Sequence, residues 1–105
     1  NQIAAAELSM MKPSAIIINT ARGGIINEAD LADALANNII AGAGVDVLSK
    51  EPAEQENPLA LYKGANLLLT PHIAWASQES IVRLVNEIAL NIQAFNQGET
   101  RNRLV

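Results

Sequence analysis

The stretch Ala15–Glu28, AIIINTARGGIINE, decides the fold, because a continuous apolar run within it stops abruptly at a polar segment. The run Ala15–Ile18 is too short for a helix, is rich in β-branched residues and lacks polar alternation, which is typical of a parallel strand covered on both faces. Arg22 follows where this strand must end. Since ligands collect outside the carboxyl ends of parallel strands, an arginine here can meet an anion. The alternative is a surface arginine whose aliphatic stem covers apolar neighbours.

Two further apolar runs are each followed or ended by a titratable residue. The run Ile39–Val47, IIAGAGVDV, suits a buried parallel strand and carries Asp46 near its end. A buried carboxylate is costly unless it is paired, hydrogen-bonded or solvated, and the alternative is an aspartate in an exposed loop. The run Asn66–Thr70, NLLLT, delivers His72, the only histidine in the chain. A lone histidine is more often structural, but it is the natural proton donor and acceptor near neutral pH.

Helical patterns separate and follow these strands. The predicted helices run from Asn1 to about Met11, from a cap at Asn27 through Leu31–Ala36, over a short piece near Leu59–Tyr62, and from a cap at Ser77 to a stop at Gly98. The last helix has an apolar stripe formed by Ile81, Leu84, Val85, Ile88, Ile92 and Phe95. That stripe indicates core or interface. Arg101–Val105 is expected to be a tail or an edge strand. The alternation of helices and strands predicts an α/β fold with a parallel sheet and right-handed crossovers.

The composition narrows the possible classes of protein. The chain has 105 residues, half of them apolar, which fits one compact unit. Its seven basic residues are scattered and its net charge is −4, so we expect no nucleic-acid partner. The absence of cysteine excludes disulfides, thiolate metal sites and cysteine nucleophiles, and we expect no metal site. Without a membrane-length apolar run or a leader-like segment, the expected location is the cytoplasm, with no membrane partner.

A third candidate side chain lies in the polar loop that follows Asp46. Glu51 precedes a proline at the start of this loop, and by itself such a glutamate is most often simply solvated. Beside His72, however, it could orient the imidazole, while Arg22 could hold a carboxylate in a fork of two hydrogen bonds. Together these are the parts needed to reduce a keto acid, or oxidise a hydroxy acid, beside a hydride carrier.

In three ordered blocks the sequence resembles the D-isomer-specific 2-hydroxyacid dehydrogenases. The blocks are MKPSAIIINTARGGIINEADLADAL at 11–35, AGAGVDVLSKEP at 41–52 and NLLLTPHIAWAS at 66–77. The run AWAS is most similar to the glycerate dehydrogenase and hydroxypyruvate reductase branch. The resemblance implies hydride transfer between NAD or NADP and a small 2-oxo or D-2-hydroxy acid, in a homodimer. It also implies the second half of a Rossmann-like, doubly wound parallel sheet with three layers and a long C-terminal helix.

The resemblance also assigns roles to individual side chains. It implies that Arg22 binds the substrate carboxylate and polarises the 2-oxo group, that His72 is the acid and base, and that Glu51 pairs with His72. Asp46 would hydrogen-bond the nicotinamide carboxamide. The cofactor contacts that it implies are Thr20, Ala21, Arg22, Asp46, His72 and Ala74.

One expected feature of a dinucleotide-binding domain is missing. No glycine-rich fingerprint occurs, since the run AGAG at Ala41–Gly44 lies inside a predicted strand and does not open a helix. We therefore expect 1–105 to be the C-terminal part of the NAD(P)-binding domain plus a terminal helix, with the glycine-rich half and the substrate domain outside it. Such a chain should be inactive alone. The alternative is a non-catalytic binding or regulatory module, similar to a corepressor, that retains the dehydrogenase fold.

Overall fold

A computed structural model describes residues 2–104 of the chain. Within them helices and strands alternate, in the order α1 (Ala5–Ser9), β1 (Ile16–Asn19), α2 (Glu28–Ala36), β2 (Gly42–Val45), α3 (Pro58–Leu61), β3 (Leu67–Leu69) and α4 (Gln78–Asn96). The chain divides into two compact units, residues 1–74 and residues 75–105. The first unit contains the sheet, and the second contains α4 and the tail.

The three strands form one parallel sheet in the order β1-β2-β3. Ile18 pairs with Gly44, which pairs in turn with Leu68. Because all three strands run in the same direction, their carboxyl ends lie at one edge of the sheet, and the segments that follow them begin at that edge. The predicted parallel α/β arrangement is confirmed, as is the long helix near the end of the chain.

The core of the first unit lies on one face of the sheet. Its fully buried side chains are Leu8, Leu31, Leu35, Ile40 and Leu59, and they pack with Ala43 and Val45 of the central strand. On the opposite face Ile16, Ile18 and Leu68 are about two-thirds exposed, at 67%, 70% and 67%. Successive side chains of a strand point to opposite faces. The predicted burial of the first strand is therefore correct for one face only, since within the described residues the core packs against one side.

Two predicted elements are shorter in the structure than the sequence indicated. The run Ile39–Val47 contains only the short strand Gly42–Val45, because the chain still turns at its start and Ile40 enters the core from there. The first helix begins at Ala5, because Ile3 forms a parallel bridge with Ile26 and is extended. The predicted cap Asn1 lies outside the described residues.

Side-chain caps fix the start of three helices. Asn27 accepts hydrogen bonds from the backbone of Ala29 and Asp30, and Ser77 accepts one from Ser80, as the sequence predicted. Asn57 caps α3 in the same way, which the sequence analysis did not anticipate. The cap at Asn57 ends the polar loop that begins after β2.

In the second unit the long helix exposes the apolar stripe that the sequence predicted. The stripe residues are between 42% and 83% exposed, with Phe95 the most exposed, so within the described chain they form a surface and not a core. After the turn at Gly98 the chain returns along α4 as a tail, and the Arg101 guanidinium donates to the Glu87 carboxylate at 2.8 Å. The described part of the predicted tail or edge strand is a tail. None of the described helices combines the length and apolarity that crossing a membrane requires.

Candidate active site

Arg22 lies in a loop that a buried asparagine shapes. Asn19, the last residue of β1, is 7% exposed, and its side-chain oxygen accepts from the Ala21 backbone at 3.1 Å. Its amide nitrogen donates to the carbonyl of Arg22 at 2.9 Å. This is the Asx-turn geometry that lets a short polar side chain replace backbone hydrogen bonds at a strand end. The side chain of Arg22 is exposed, and Nη1 donates to the carbonyl of Ala21 at 2.9 Å.

Two glycines follow Arg22 for different physical reasons. Gly24 has a φ of 77°, in the left-handed region that most side chains disfavour. Gly23 lies against the backbone that follows β2, where a Cβ would come within 1.9 Å of the Leu48 carbonyl oxygen. The tight turn and the close approach both bring the arginine loop against the loop that carries Glu51.

Asp46 is buried directly after β2, and its carboxylate accepts hydrogen bonds from the segment after β3. The residue is 3% exposed. Its Oδ1 accepts from the Thr70 hydroxyl and from the backbone of Ile73 at 2.9 Å, and its Oδ2 accepts from the backbone of Ala74 at 2.8 Å. The carboxylate that the sequence singled out is thus satisfied by hydrogen bonds, as a buried charge must be.

The side chains of His72 and Glu51, which the resemblance paired, are in contact. The Nδ1 atom of His72 lies 2.7 Å from Oε2 of Glu51. His72 adopts a φ of 56°, which is uncommon for a residue other than glycine, and its backbone nitrogen donates to the Thr70 carbonyl at 3.1 Å. Such conformations persist only where surrounding contacts hold them, and they cluster at functional sites.

The loop that carries Glu51 is anchored at both ends. Oε1 of Glu51 accepts from the backbone of Leu48 at 2.8 Å, so the carboxylate folds its own loop while its other oxygen faces the imidazole. Glu28, at the start of α2, accepts from the Ser49 backbone at 2.6 Å through Oε1 and from the Asn57 side chain at 2.6 Å through Oε2. One carboxylate therefore joins the two ends of the loop.

Hydrogen bonds keep both acidic groups of the site ionised. The hydrogen bond with His72, followed by the one from the Leu48 backbone, holds the pKa of the Glu51 carboxyl below its ordinary value. Burial acts to raise the pKa of the Asp46 carboxyl, but the hydrogen bonds from Thr70, Ala74 and Ile73 outweigh it and lower that pKa. Near neutral pH the site accordingly presents two carboxylates.

A cavity of about 420 Å³ adjoins this pair. Asp46, Glu51, Thr70 and His72 supply its polar groups, and its apolar wall is formed by Leu48, Pro52, Ala53, Leu69 and Pro71. A concave, mainly apolar space with a few convergent polar groups is typical of a binding site for a small molecule.

The structure places the predicted site residues at the carboxyl edge of the sheet. It joins Glu51 to His72 directly, and it joins Asp46 to the backbone of Ala74. Thr20 and Ala21 are exposed in the loop after β1. Three supporting residues were missed: Asn19, Thr70 and Glu28. The first two are polar residues at the ends of apolar strands, and that position was a signal; nothing local marked Glu28, whose partners lie 21 and 29 positions away.

Comparison with known proteins gives consistent matches. Residues 1–74 match the family model for the NAD binding domain of the D-isomer specific 2-hydroxyacid dehydrogenases. Glycerate dehydrogenase from Methylorubrum extorquens is 46% identical over 102 residues, which cover 97% of this chain and 32% of that protein. The chain therefore spans about a third of the length of this relative.

Solved structures show the same relationship in three dimensions. The NAD-complexed D-isomer specific 2-hydroxyacid dehydrogenase from Lactobacillus delbrueckii superposes with a TM-score of 0.76 at 30% identity, over 97% of this chain and 34% of that one. The NADPH-dependent glyoxylate/hydroxypyruvate reductase from Sinorhizobium meliloti, in complex with NADP and malonate, superposes with a TM-score of 0.70 at 36% identity. The match covers 89% of this chain and 28% of that one.

Proposed function

This chain belongs to the D-isomer specific 2-hydroxyacid dehydrogenase family, and from that premise we propose that it is the C-terminal part of an enzyme that transfers a hydride between NAD(P)H and a small 2-oxo acid. The observation that carries this proposal is the contact of 2.7 Å between His72 and Glu51 at the carboxyl edge of a parallel sheet. Relatives named for glycerate, hydroxypyruvate and glyoxylate support a substrate of that size.

His72 is proposed to move the proton. Since Nδ1 lies against Glu51, the proton is proposed to pass through Nε2: a protonated ring can give that proton to the 2-oxo oxygen as it becomes a hydroxyl. In the reverse direction the same nitrogen takes the proton back. Glu51 is proposed to orient the ring, because its carboxylate is hydrogen-bonded at both of its oxygens, to the Leu48 backbone and to His72.

Arg22 is proposed to bind the substrate carboxylate and to polarise the 2-oxo group. Its guanidinium can form two parallel hydrogen bonds with a carboxylate. The loop that carries it starts at the same sheet edge as the segment that carries His72, since they follow β1 and β3, the two strands that flank β2 in one parallel sheet. A bound nicotinamide supplies the hydride.

The residues present are compatible with a nicotinamide at this edge. A carboxylate oxygen can accept two hydrogen bonds, and Oδ2 of Asp46 accepts one from Ala74. The second position suits an amide donor such as the nicotinamide carboxamide. Thr20 and Ala21, which are exposed beside Arg22, are proposed to line its ribose. The proposed cofactor is NAD or NADP.

The domain arrangement and assembly complete the proposal. The glycine-rich half of the cofactor domain and the substrate domain are proposed to lie outside residues 1–105, because the chain spans about a third of its relatives. The isolated chain should then be inactive. The enzyme is proposed to be a cytoplasmic homodimer, and the exposed apolar stripe on α4 is compatible with such an assembly.

The test is steady-state reduction of hydroxypyruvate and glyoxylate by the full-length protein, with NADH and then with NADPH. The variant His72→Ala should lose roughly a hundred-fold or more in kcat, as expected for removal of a general acid. Arg22→Lys should mainly raise KM for the oxo acid, because a lysine cannot reproduce the two-pronged contact. If the full-length protein reduces no 2-oxo acid of a broad panel, the catalytic proposal fails and a binding or regulatory role takes its place.

A further inference from the structure

We infer that Thr70 is a positioning residue, which holds His72 in its turn through the buried carboxylate of Asp46. The part of this inference that concerns catalysis rests on the function proposed above. The part that concerns the geometry of the turn does not.

The His72 turn needs an external restraint. With a φ of 56° its backbone lies in a region that L-residues populate sparsely. A strained conformation of this kind persists only when surrounding contacts fix it. In this backbone conformation the Nδ1 atom of His72 lies 2.7 Å from Oε2 of Glu51.

Asp46 supplies that restraint from the neighbouring strand. Its two oxygens accept from the backbone of Ile73 at 2.9 Å and of Ala74 at 2.8 Å, the two residues immediately after the histidine. Asp46 itself is fixed, because its backbone nitrogen donates to the Asn19 carbonyl at 2.9 Å and its side chain is 3% exposed. The segment after His72 is thus bound to the rigid central strand.

Thr70 contacts both parts of this arrangement. Its hydroxyl donates to Oδ1 of Asp46, and its carbonyl accepts from the backbone of His72 at 3.1 Å. Its own backbone nitrogen donates to Val45 at 2.9 Å, which anchors it to the sheet. The hydroxyl fixes the carboxylate oxygen that also accepts from Ile73. Without the hydroxyl, that oxygen keeps one donor and the carboxylate can rotate away from the turn.

The experiment compares Thr70→Val with Thr70→Ser in the full-length protein. Valine keeps the shape and removes the donor, whereas serine keeps the donor. Amide hydrogen exchange of Ile73 and Ala74 should be about ten-fold faster in the valine variant and close to wild type in the serine variant. In steady-state reduction of the 2-oxo acid, valine should lower kcat roughly ten-fold with KM changed less than about two-fold, because a small displacement of an acid–base group costs rate while Arg22 still binds the substrate.

The outcomes separate this inference from the proposed function. If the amides stay protected in Thr70→Val, or if valine and serine have equal effects, the inference is overturned. If the wild-type protein turns over no 2-oxo acid, the proposed function fails while the exchange measurement still decides the role of Thr70. Should Thr70→Val not fold, Thr70→Ala removes the same hydroxyl without adding a methyl group and is measured in its place.

Discussion

Gly23 and Leu48 lie so close together that no side chain fits between their backbones. A Cβ on Gly23 would be 1.9 Å from the Leu48 carbonyl oxygen and 2.4 Å from the Ser49 nitrogen. The obstacle is backbone, which cannot rotate aside as a flexible side chain can. This contact joins the loop of Arg22 to the loop of Glu51, so the distance between two proposed catalytic groups depends on a missing methyl group.

The substitution Gly23→Ala should therefore separate the two loops. We expect a loss of about 1–3 kcal/mol in the free energy of unfolding, as for other overpacked sites, together with a lower kcat in the full-length protein. Chemical denaturation and steady-state kinetics measure the two effects. The matched control is Gly24→Asn, since its site has nothing within 4 Å and a φ of 77° that asparagine tolerates. A Gly23→Ala protein as stable and active as wild type would contradict this account of the contact.

The sequence predicted the order of the elements, because this order follows from local patterns. Short apolar runs marked the strands, and the parallel arrangement then placed the residues after each strand at one edge. The resemblance named Glu51 as the partner of His72, and the structure brings these two side chains into contact. The segment Leu48–Lys63 was expected to be a surface loop with a short helix near Leu59–Tyr62, and the structure has the helix α3 at Pro58–Leu61.

The supporting contacts were not predictable in the same way. The partners of Glu28 come from a loop whose path is set by packing and not by periodicity. The positive φ of His72 was not predicted, because it depends on the contacts around the turn and not on a local sequence pattern. Strand burial was overestimated for Ile16 and Ile18, because an unbroken apolar run does not tell which face the described residues cover.

Asn19 offers a test of how the Arg22 loop is held. Asn19→Ala removes an acceptor for the Ala21 backbone and a donor to the Arg22 carbonyl. Each bond contributes roughly 1 kcal/mol, so a moderate loss of stability is expected. The larger effect should be a rise in KM for the 2-oxo acid, because the guanidinium loses its fixed position. Steady-state kinetics of the full-length protein, with thermal unfolding in parallel, measures both.

The control for Asn19 is Asn37→Ala at the carboxyl end of α2. Asn37 donates to the Asp33 carbonyl at 2.8 Å and takes no part in the site, so its loss should change stability slightly and leave KM unchanged. If both variants alter KM equally, or neither does, the side chain of Asn19 does not position the arginine.

The Glu51 carboxyl predicts a specific dependence of stability on pH. Its pKa is held below the ordinary glutamate value of 4.5, chiefly by the hydrogen bond with His72. A group with a lowered pKa in the folded state stabilises that state above its ordinary pKa, and this stabilisation is lost as pH falls through the lowered value. Wild type should therefore unfold at a higher temperature than Glu51→Gln at about pH 6. The difference between their Tm values should shrink steadily below about pH 4.5.

Comparing wild type with Glu51→Gln cancels the contribution of other acidic groups. Asp46 and Glu87 also have lowered pKa values, but they are present in both proteins. A Tm difference that stays constant as the pH falls would show that the charge of Glu51 does not stabilise the fold.

The last prediction concerns Glu28, which joins the two ends of the loop that carries Glu51. Its carboxylate accepts from the Ser49 backbone and from the Asn57 side chain, both at 2.6 Å. In Glu28→Gln one acceptor becomes a donor and faces the amide of Asn57, so that contact turns repulsive. We expect a loss of about 1 kcal/mol in the free energy of unfolding and a lower kcat, since Glu51 lies on this loop.

A second substitution, at Asn57, tests whether the effect of Glu28→Gln comes from the contact between these two side chains. In Glu28→Gln combined with Asn57→Asp, the introduced amide can donate to the introduced carboxylate. That carboxylate can still cap α3 as Asn57 does, through the backbone of Leu59 and Ala60. The double variant should recover most of the stability and kcat lost in Glu28→Gln alone, giving a coupling energy between the two sites. Additive losses in the double variant would mean that Glu28 and Asn57 stabilise the loop independently, and that their contact does not set the position of Glu51.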